Sequence, residues 1–151
     1  MKENIADPVQ SAQLIVRLER LTPETPGKWG KMDAHQVICH LSDSFRAVMG
    51  PGVPSMATPL SKTVIKWVAL NAPLKWPQGV PTRPEVDQFI GGTKPVEFAR
   101  DRHDLKTLMA DFATRTSGSL QPHPIFGTLT TREWHRWGWR HMDHHLRQFG
   151  A

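Results

Sequence analysis

The sequence predicts an all-α protein: a four-helix bundle with a long irregular crossover between the second and third long helices. Apolar residues recur at helical spacing in four long segments, and no stretch alternates long enough to predict a typical strand. Eight of the 13 prolines lie between Pro51 and Pro95, which disfavours long regular elements there. At 151 residues the chain fits one domain, 1–151, and the 38% of apolar residues suffice for a core.

The first two long helices have clear start and stop signals. Asp7 is a predicted N-cap with Pro8 in the first turn, and the apolar spacing continues to Leu21 before a Thr-Pro pair ends the helix. Asp33 caps the second helix, which ends at Gly50. Its apolar stripe consists of Ala34, Val37, Ile38, Leu41, Phe45 and Val48.

The middle of the chain predicts one short helix and then the crossover. The short helix covers about Leu60 to Asn71, and the irregular segment runs from Ala72 to Lys94. A segment of this length is unusual in a compact domain unless it packs over something or lines a site. We therefore expect the crossover, with Trp76, Arg83 and Phe89, to cover part of a functional site.

The last two long helices follow the crossover. Pro95 is a predicted first residue of the third long helix, which ends near Thr116. Thr130 and Glu133 have the spacing of a capping box at the start of the last helix, which ends at Gly150.

Composition excludes several classes of protein. The single cysteine excludes an intramolecular disulfide framework and favours a cytoplasmic protein. The first residues do not resemble a signal peptide, and no apolar run is long enough for a membrane span, so no membrane partner is expected.

The net charge of +5 comes from scattered basic residues rather than from a cluster, so no nucleic-acid partner is expected. The strongest alternative is a stacking surface on the last helix, formed by Trp137, Trp139, Arg136 and Arg140. Helical spacing places Trp137 in the core, which disfavours that alternative.

Two histidines of the last helix share one face. His141 and His145 are four residues apart, and Trp134 and Trp137 precede them on the same side, so this face points inward. An imidazole nitrogen buried without a partner costs about 1–3 kcal/mol. A divalent metal bound by both rings would remove that cost.

His40, near the buried seam of the second helix, is the candidate third ligand. Facing helices of a bundle build metal sites from inward side chains, and a catalytic zinc or nickel site usually has three protein ligands and an open position. A lone histidine on an apolar stripe is more often an ordinary core residue, so both interpretations remain open for His40.

No general base is predicted beside these histidines. Asp143 lies about 200° around the helix from His141 and is expected to face solvent, paired with Arg147. His144 is the alternative ligand to His145 if the helix is rotated, or a neighbour of the ligands. The catalytic residues therefore remain unknown.

Three further residues each have a possible functional role and a possible structural role. His35 and Cys39 are four apart, and a thiolate is a good zinc ligand, although a lone buried cysteine is more often a small core residue. His123 lies in a loop before the last helix, where it either reaches the open end of the bundle or fixes the turn.

Three motifs resemble the DinB/YfiT-like superfamily. One is the segment 32–41, which follows Trp29 and reads Met-Asp-Ala-His-Gln-Val-Ile-Cys-His-Leu. Another is the segment 140–150, which reads Arg-His-Met-Asp-His-His-Leu-Arg-Gln-Phe-Gly. The third, His-Pro-Ile-Phe-Gly at 123–127 followed by Glu133 and Trp134, is similar to an uncharacterised, domain-of-unknown-function branch of that superfamily.

The resemblance implies a four-helix bundle with a three-histidine site that often holds zinc or nickel, and here the ligands would be His40, His141 and His145. Characterised relatives are metal-dependent S-transferases or isomerases that use low-molecular-weight thiols, and some are described as hydrolases. Many dimerise, so a homodimer is an expectation for this chain. We expect a metal-dependent enzyme that activates a thiol or water toward a small-molecule substrate; the alternative is a non-catalytic metal-binding or stress-associated bundle.

Overall fold

The structure is a computed structural model that describes residues 2–151, and it confirms an all-α fold. In this part of the chain there is no strand, and the α-helices are α1 (Pro8–Glu19), α2 (Ala34–Met49), α3 (Lys66–Asn71), α4 (Phe98–Thr114) and α5 (Thr131–Gln148). A π-helical turn, Ser61–Ile65, leads directly into α3, and short 3₁₀ turns occur at Pro84–Val86 and Ser117–Ser119. Among residues 2–151, no helix combines the length and apolarity needed to cross a bilayer.

The predicted caps of α1, α2 and α5 are confirmed. The Asp7 carboxylate accepts hydrogen bonds from two backbone N–H groups of the first turn of α1. Asp33 and Gln36 form a reciprocal capping box at α2, and Thr130 and Glu133 form another at α5. Each of these three caps satisfies backbone donors that the first helical turn leaves unpaired. The three helices therefore begin where the sequence places them.

The predicted start of α4 at Pro95 is wrong, because the helix begins at Phe98. The Glu97 side chain accepts from the backbone N–H groups of Ala99 and Arg100 and is therefore the N-cap. Val96, which precedes the N-cap, is 71% exposed. The far ends also differ slightly, since α1 ends at Glu19 and α4 at Thr114.

The long helices enclose one apolar core. Helix α2 packs mainly against α4, α1 packs against α5, and α5 also contacts α2 and α3. Aromatic rings occupy the centre, where Phe45 of α2 lies 4.9 Å from Phe112 of α4, and Phe112 lies 5.9 Å from Trp137 of α5. Such rings bury large areas and favour tilted or edge-to-face contacts, so they fix the faces that α2 and α5 present to each other.

Interactions with α2 and α5 hold the irregular crossover in place. The Asp43 carboxylate of α2 accepts hydrogen bonds from the Gln88 side chain at 2.8 Å and from the Thr93 backbone at 2.7 Å. At the other end, Arg140 of α5 donates to the backbone carbonyl of Ala72 at 3.0 Å. The segment therefore lacks long regular structure, as predicted, but is tied down at several points.

Two arginines of α5 that the sequence offered as nucleic-acid contacts are buried and have partners inside the protein. Arg136 forms an ion pair with Glu3 at 2.8 Å. Arg140 donates to the backbone carbonyl of Ala72 at 3.0 Å and also to that of Leu74. These guanidinium groups join α5 to the N-terminal segment and to the start of the crossover.

Gly138 provides a test of the packing between α4 and α5. A Cβ atom at this position would lie 2.7 Å from Cε1 of Phe112 and 3.3 Å from Cγ2 of Ile5, both fully buried. We expect Gly138→Ala to lower the free energy of unfolding by about 1–2 kcal/mol, because overpacking outweighs the gain in helix propensity.

Urea unfolding monitored by circular dichroism measures this change. Gly118→Ala is the matched control, because nothing lies within 4 Å of a Cβ at Gly118, and its effect should be small. A Gly138→Ala protein as stable as the parent would contradict the close packing described for α5.

Candidate metal centre

Three histidines from two helices meet at one point in the protein. His40 projects from α2, and His141 and His145 project from successive turns of α5. One nitrogen of each ring lies within 4.8 Å of the other two, and Nε2 of His40 lies 3.3 Å from Nε2 of His141. The predicted convergence of these residues is therefore present.

A hydrogen bond from the crossover orients the ring of His40. Its Nδ1 lies 2.8 Å from the backbone carbonyl oxygen of Val86, in the Pro84–Val86 turn. Because a carbonyl oxygen only accepts, Nδ1 carries the proton and Nε2 keeps its lone pair. The spacing of residues in the sequence does not predict this contact, because it depends on where the crossover folds back onto α2.

A second hydrogen bond orients His145. Nδ1 of His145 lies 2.9 Å from Oε1 of Gln148, and the amide nitrogen of Gln148 donates to the backbone carbonyl of Trp29 at 2.8 Å. The bond to Trp29 fixes which end of the amide faces His145, so Nδ1 of His145 is the donor and Nε2 keeps its lone pair. The spacing of three residues between His145 and Gln148 is the signal that could have identified Gln148 from the sequence.

His141 completes the cluster without such a partner. Its Nδ1 is buried and has no hydrogen-bond partner in residues 2–151, while its Nε2 faces Nε2 of His40. Tetrahedral zinc with bonds of about 2.0–2.1 Å separates two ligand nitrogens by about 3.3–3.4 Å, which matches the spacing of 3.3 Å between these atoms. The donor set of three imidazoles and the spacing of this pair therefore fit a divalent ion.

The protein environment keeps these histidines neutral. Burial lowers the pKa of His40, although its hydrogen bond to Val86 acts in the opposite direction. Burial, and then the neighbouring imidazoles, hold the pKa of His141 and of His145 well below the usual range. At neutral pH all three rings are therefore uncharged and have lone pairs to offer.

A cavity of about 560 Å³ opens onto the three histidines. This volume lies within the usual range for small-molecule sites, and most of the lining side chains are apolar. In the described part of the chain, no Asp or Glu lines the cavity. The walls come from α2, the π-helical turn with α3, the crossover, the 123–127 loop and α5.

The expected cover by the crossover is confirmed for two of three residues. The Trp76 ring lies 6.0 Å from the His141 ring and lines the cavity. Arg83 also lines it, although its guanidinium already donates to the Pro54 carbonyl at 3.2 Å. The prediction for Phe89 is wrong, because this side chain is 56% exposed and lies outside the lining, beyond the turn that carries Val86.

His144 lines the cavity but does not join the cluster of three nitrogens. Its ring lies 6.0 Å from Trp76 and 5.9 Å from Trp29, and its buried Nδ1 lacks a partner in the part of the chain described. The rotation of α5 therefore turns His145, and not His144, toward His40.

The prediction that Asp143 faces solvent is wrong. Its carboxylate accepts from Arg147 at 2.8 Å, as expected from their spacing, and also from Arg17 of α1 at 2.8 Å. Asp143 is partly buried at the contact between α1 and α5, because α1 packs over this side of α5. It therefore joins two helices and does not reach the cavity.

A second group of candidate ligands lies between α2 and α4. His35 and Cys39 are joined by Asp101, which sequence reasoning missed because it lies on another helix. Nε2 of His35 lies 2.8 Å from the Asp101 carboxylate, which also accepts from the backbone N–H of Val96 at 3.0 Å. Burial, followed by the charge of Asp101, raises the pKa of the Cys39 thiol to about 12.

In the metal-free protein the thiol of Cys39 therefore stays protonated, and a metal would have to displace this proton before Cys39 could bind it. This group acts as a polar tie between two helices, and the three-histidine cluster is the better candidate for a metal centre.

A family model described as "Protein of unknown function (DUF1569)" matches residues 7–151. The chain belongs to the DUF1569 family. The match includes all five helices of this DUF1569 protein and all three clustered histidines. No curated protein and no solved structure gives a significant match. The chemistry of the DUF1569 chain must therefore be argued from its site.

The buried histidines predict a pH dependence of stability for the metal-free DUF1569 protein. Unfolded histidines take up protons near pH 6.5, whereas burial lowers the pKa of His40, His141 and His145, and that of His123 to about 3. Below about pH 6.5 the unfolded chain binds more protons, so stability falls as the pH falls. Carboxylates whose pKa is lowered in the folded protein change the stability only below about pH 4.5.

We expect the free energy of unfolding to drop by at least about 2 kcal/mol between about pH 7.5 and 5.5, with chelator present. Urea titrations at several pH values measure it. His141→Gln should flatten the profile, and the same change at exposed His103 should leave it unaltered. A flat profile in the parent protein would contradict the buried, neutral state of these rings.

Proposed function

We propose that this DUF1569 protein is a metal-dependent enzyme in which His40, His141 and His145 hold a divalent ion, zinc or nickel, and that it activates a low-molecular-weight thiol toward a small apolar substrate. The observation that carries the proposal is the meeting of three neutral imidazoles at the wall of an apolar cavity. Two of these rings have hydrogen bonds that leave Nε2 free as a ligand.

The packing supports the finer description of the fold as a single four-helix bundle. The four long helices associate as α2 with α4 and α1 with α5, and α5 also contacts α2. The crossover leaves this core and returns to it near Asp43. This arrangement is consistent with membership of the DinB/YfiT-like superfamily, which remains part of the proposal.

The residues around the centre have separable roles. A divalent ion held with one open position would lower the pKa of a thiol or of water. Val86 and Gln148 hold the rings of His40 and His145 in the orientation that ligation needs. Apolar walls, with Trp76 beside His141, lower the polarity of the space next to the ligands.

The lining favours thiol chemistry over hydrolysis. No carboxylate from the described residues lines the cavity, so no acidic side chain is placed to take a proton from water. A thiol is more acidic than water, so a bound ion would favour its thiolate at neutral pH, with the proton released to solvent. Hydrolysis by water is therefore the second candidate reaction, and the same lack of a carboxylate in the lining also favours the non-catalytic metal-binding alternative.

Metal binding is the first test. After chelator treatment, we expect the parent protein to take up one zinc ion per chain, measured by elemental analysis after dialysis. Replacing His40, His141 or His145 by Gln should weaken binding by at least about 100-fold, because each change removes a ligand. His103→Gln is the matched control and should bind as the parent does.

Gln148 is not a proposed ligand, but it orients His145, so its replacement should weaken zinc binding less than loss of a ligand does. Gln148→Leu should weaken zinc binding by about 10–100-fold, because the ring loses the acceptor that fixes its tautomer. Gln13→Leu, an exposed change on α1, should have no effect. Unchanged affinity in Gln148→Leu would contradict the role given to this side chain.

Cobalt separates the two groups of candidate ligands. The cobalt-loaded protein should show ligand-field bands but no thiolate-to-cobalt charge-transfer band, because Cys39 is not a ligand of the proposed centre. A charge-transfer band that disappears in Cys39→Ser would assign the ion to the cluster with Asp101 and would overturn the proposal.

Turnover decides between the enzyme and its alternatives. The zinc-loaded protein should join low-molecular-weight thiols to apolar electrophiles in a substrate panel, and His141→Gln should abolish both metal and turnover. Turnover of apolar esters without added thiol would favour the hydrolase. Stoichiometric zinc with no turnover on either panel would favour the non-catalytic metal-binding protein.

A further inference from the structure

The 123–127 loop contains a histidine whose two nitrogens have different environments. The backbones of His123 and Gly127 exchange two hydrogen bonds, at 2.8 and 2.9 Å, which close the loop into a tight turn. Inside this turn, Nδ1 of His123 accepts from the backbone N–H groups of Ile125 and Phe126, both at 3.1 Å. This ring nitrogen therefore fixes the turn, which was one of the two roles open for His123 from the sequence.

These two bonds also settle which nitrogen carries the proton. A backbone N–H can only donate, so Nδ1 must present its lone pair and the proton of the neutral ring must be on Nε2. Burial lowers the pKa of His123 to about 3, which is consistent with a neutral ring at physiological pH. Nε2–H is therefore a permanent hydrogen-bond donor.

Within the described part of the chain, this donor has no acceptor. None of residues 2–151 accepts a hydrogen bond from Nε2, and His123 lines the same cavity as the three clustered histidines. Unlike Nδ1 of His141, Nε2 of His123 is not among the fully enclosed polar atoms that lack a partner. The N–H group is therefore open to the cavity.

Aromatic packing holds the donor in position. The His123 ring stacks on Phe126 at 4.4 Å with an interplanar angle of 11° and meets Trp137 edge-on at 5.6 Å. With one face covered and Nδ1 bonded to the turn, the ring cannot rotate without losing these contacts. A donor that is ordered before the ligand arrives loses little entropy on binding.

We propose that His123 forms a ligand subsite in which Nε2–H binds the carbonyl oxygen of a largely apolar ligand. A neutral N–H donor in a mostly apolar wall suits a neutral acceptor better than an anion, because burying a charge there is costly. The two cationic side chains of the lining, Lys75 and Arg83, belong to the crossover and not to the His123 turn. The substrate class is therefore an apolar ketone, aldehyde or ester. Its role as a substrate subsite depends on the proposed metal centre, but the binding event does not.

Two rigid probes of nearly equal shape test the subsite. 1-Indanone and indane differ only in a carbonyl group in place of a methylene group, and ¹H–¹⁵N NMR titrations give the Kd of each. His123→Asn is the informative variant, because its side-chain oxygen replaces Nδ1 as the acceptor in the turn while nothing replaces Nε2. We expect the preference for indanone over indane to fall about 3–10-fold in this variant, as for the loss of one hydrogen bond.

Direct observation of the His123 ring covers the case in which the variant disturbs the loop. In the parent protein, long-range ¹H–¹⁵N spectra should show His123 protonated at Nε2, with a resonance that shifts on addition of indanone but not of indane. An Nδ1-protonated ring, equal shifts with both probes, or an unchanged preference in a folded His123→Asn protein would each overturn the proposal.

Titrations with zinc and with chelator separate this inference from the proposed function. A preference for indanone that depends on His123 under both conditions supports the subsite even if no metal binds. A protein that binds zinc at His141 but shows no preference dependent on His123 retains the metal centre and lacks the subsite.

Discussion

The need to keep three buried imidazoles neutral and correctly oriented constrains the whole structure. A bare cluster of histidines in an apolar interior is costly, because each ring has polar nitrogens to satisfy. The protein meets this cost for two rings with acceptors on Nδ1: the Val86 carbonyl for His40 and the Gln148 amide for His145. Each acceptor is itself fixed, the first by the fold of the crossover and the second by its bond to Trp29.

The long crossover provides part of what this constraint requires. Ordering a long irregular segment costs conformational entropy, and the segment gains little packing in exchange if it only links two helices. Here it supplies the acceptor for His40, places Trp76 against the cavity and is bonded to Asp43 on α2. The same segment therefore orients a ligand of the proposed centre and forms a wall of the space where a substrate would lie.

Features that depend on residues close together in the chain were mostly predicted correctly, and features that depend on distant residues mostly were not. The caps at Asp33 and Thr130 were predictable because a capping box lies within one helical turn. The start of α4 was not, because Glu97 competes with Pro95 for the first turn and its carboxylate reaches the backbone there. Asp143 was assigned to solvent because helical periodicity does not reveal that α1 covers that side of α5.

By itself, the sequence determined the helical class, the pairing of His141 with His145 on one inward face, and His40 as a candidate partner. These follow from a period of 3.6 residues, which local spacing records. Only the tertiary structure decided that the three rings meet, that Asp101 joins His35 and Cys39, and that His123 directs one nitrogen into its turn and leaves the other open to the cavity. Such contacts join residues that are distant in the chain or depend on the path of a loop, and no periodic pattern specifies either.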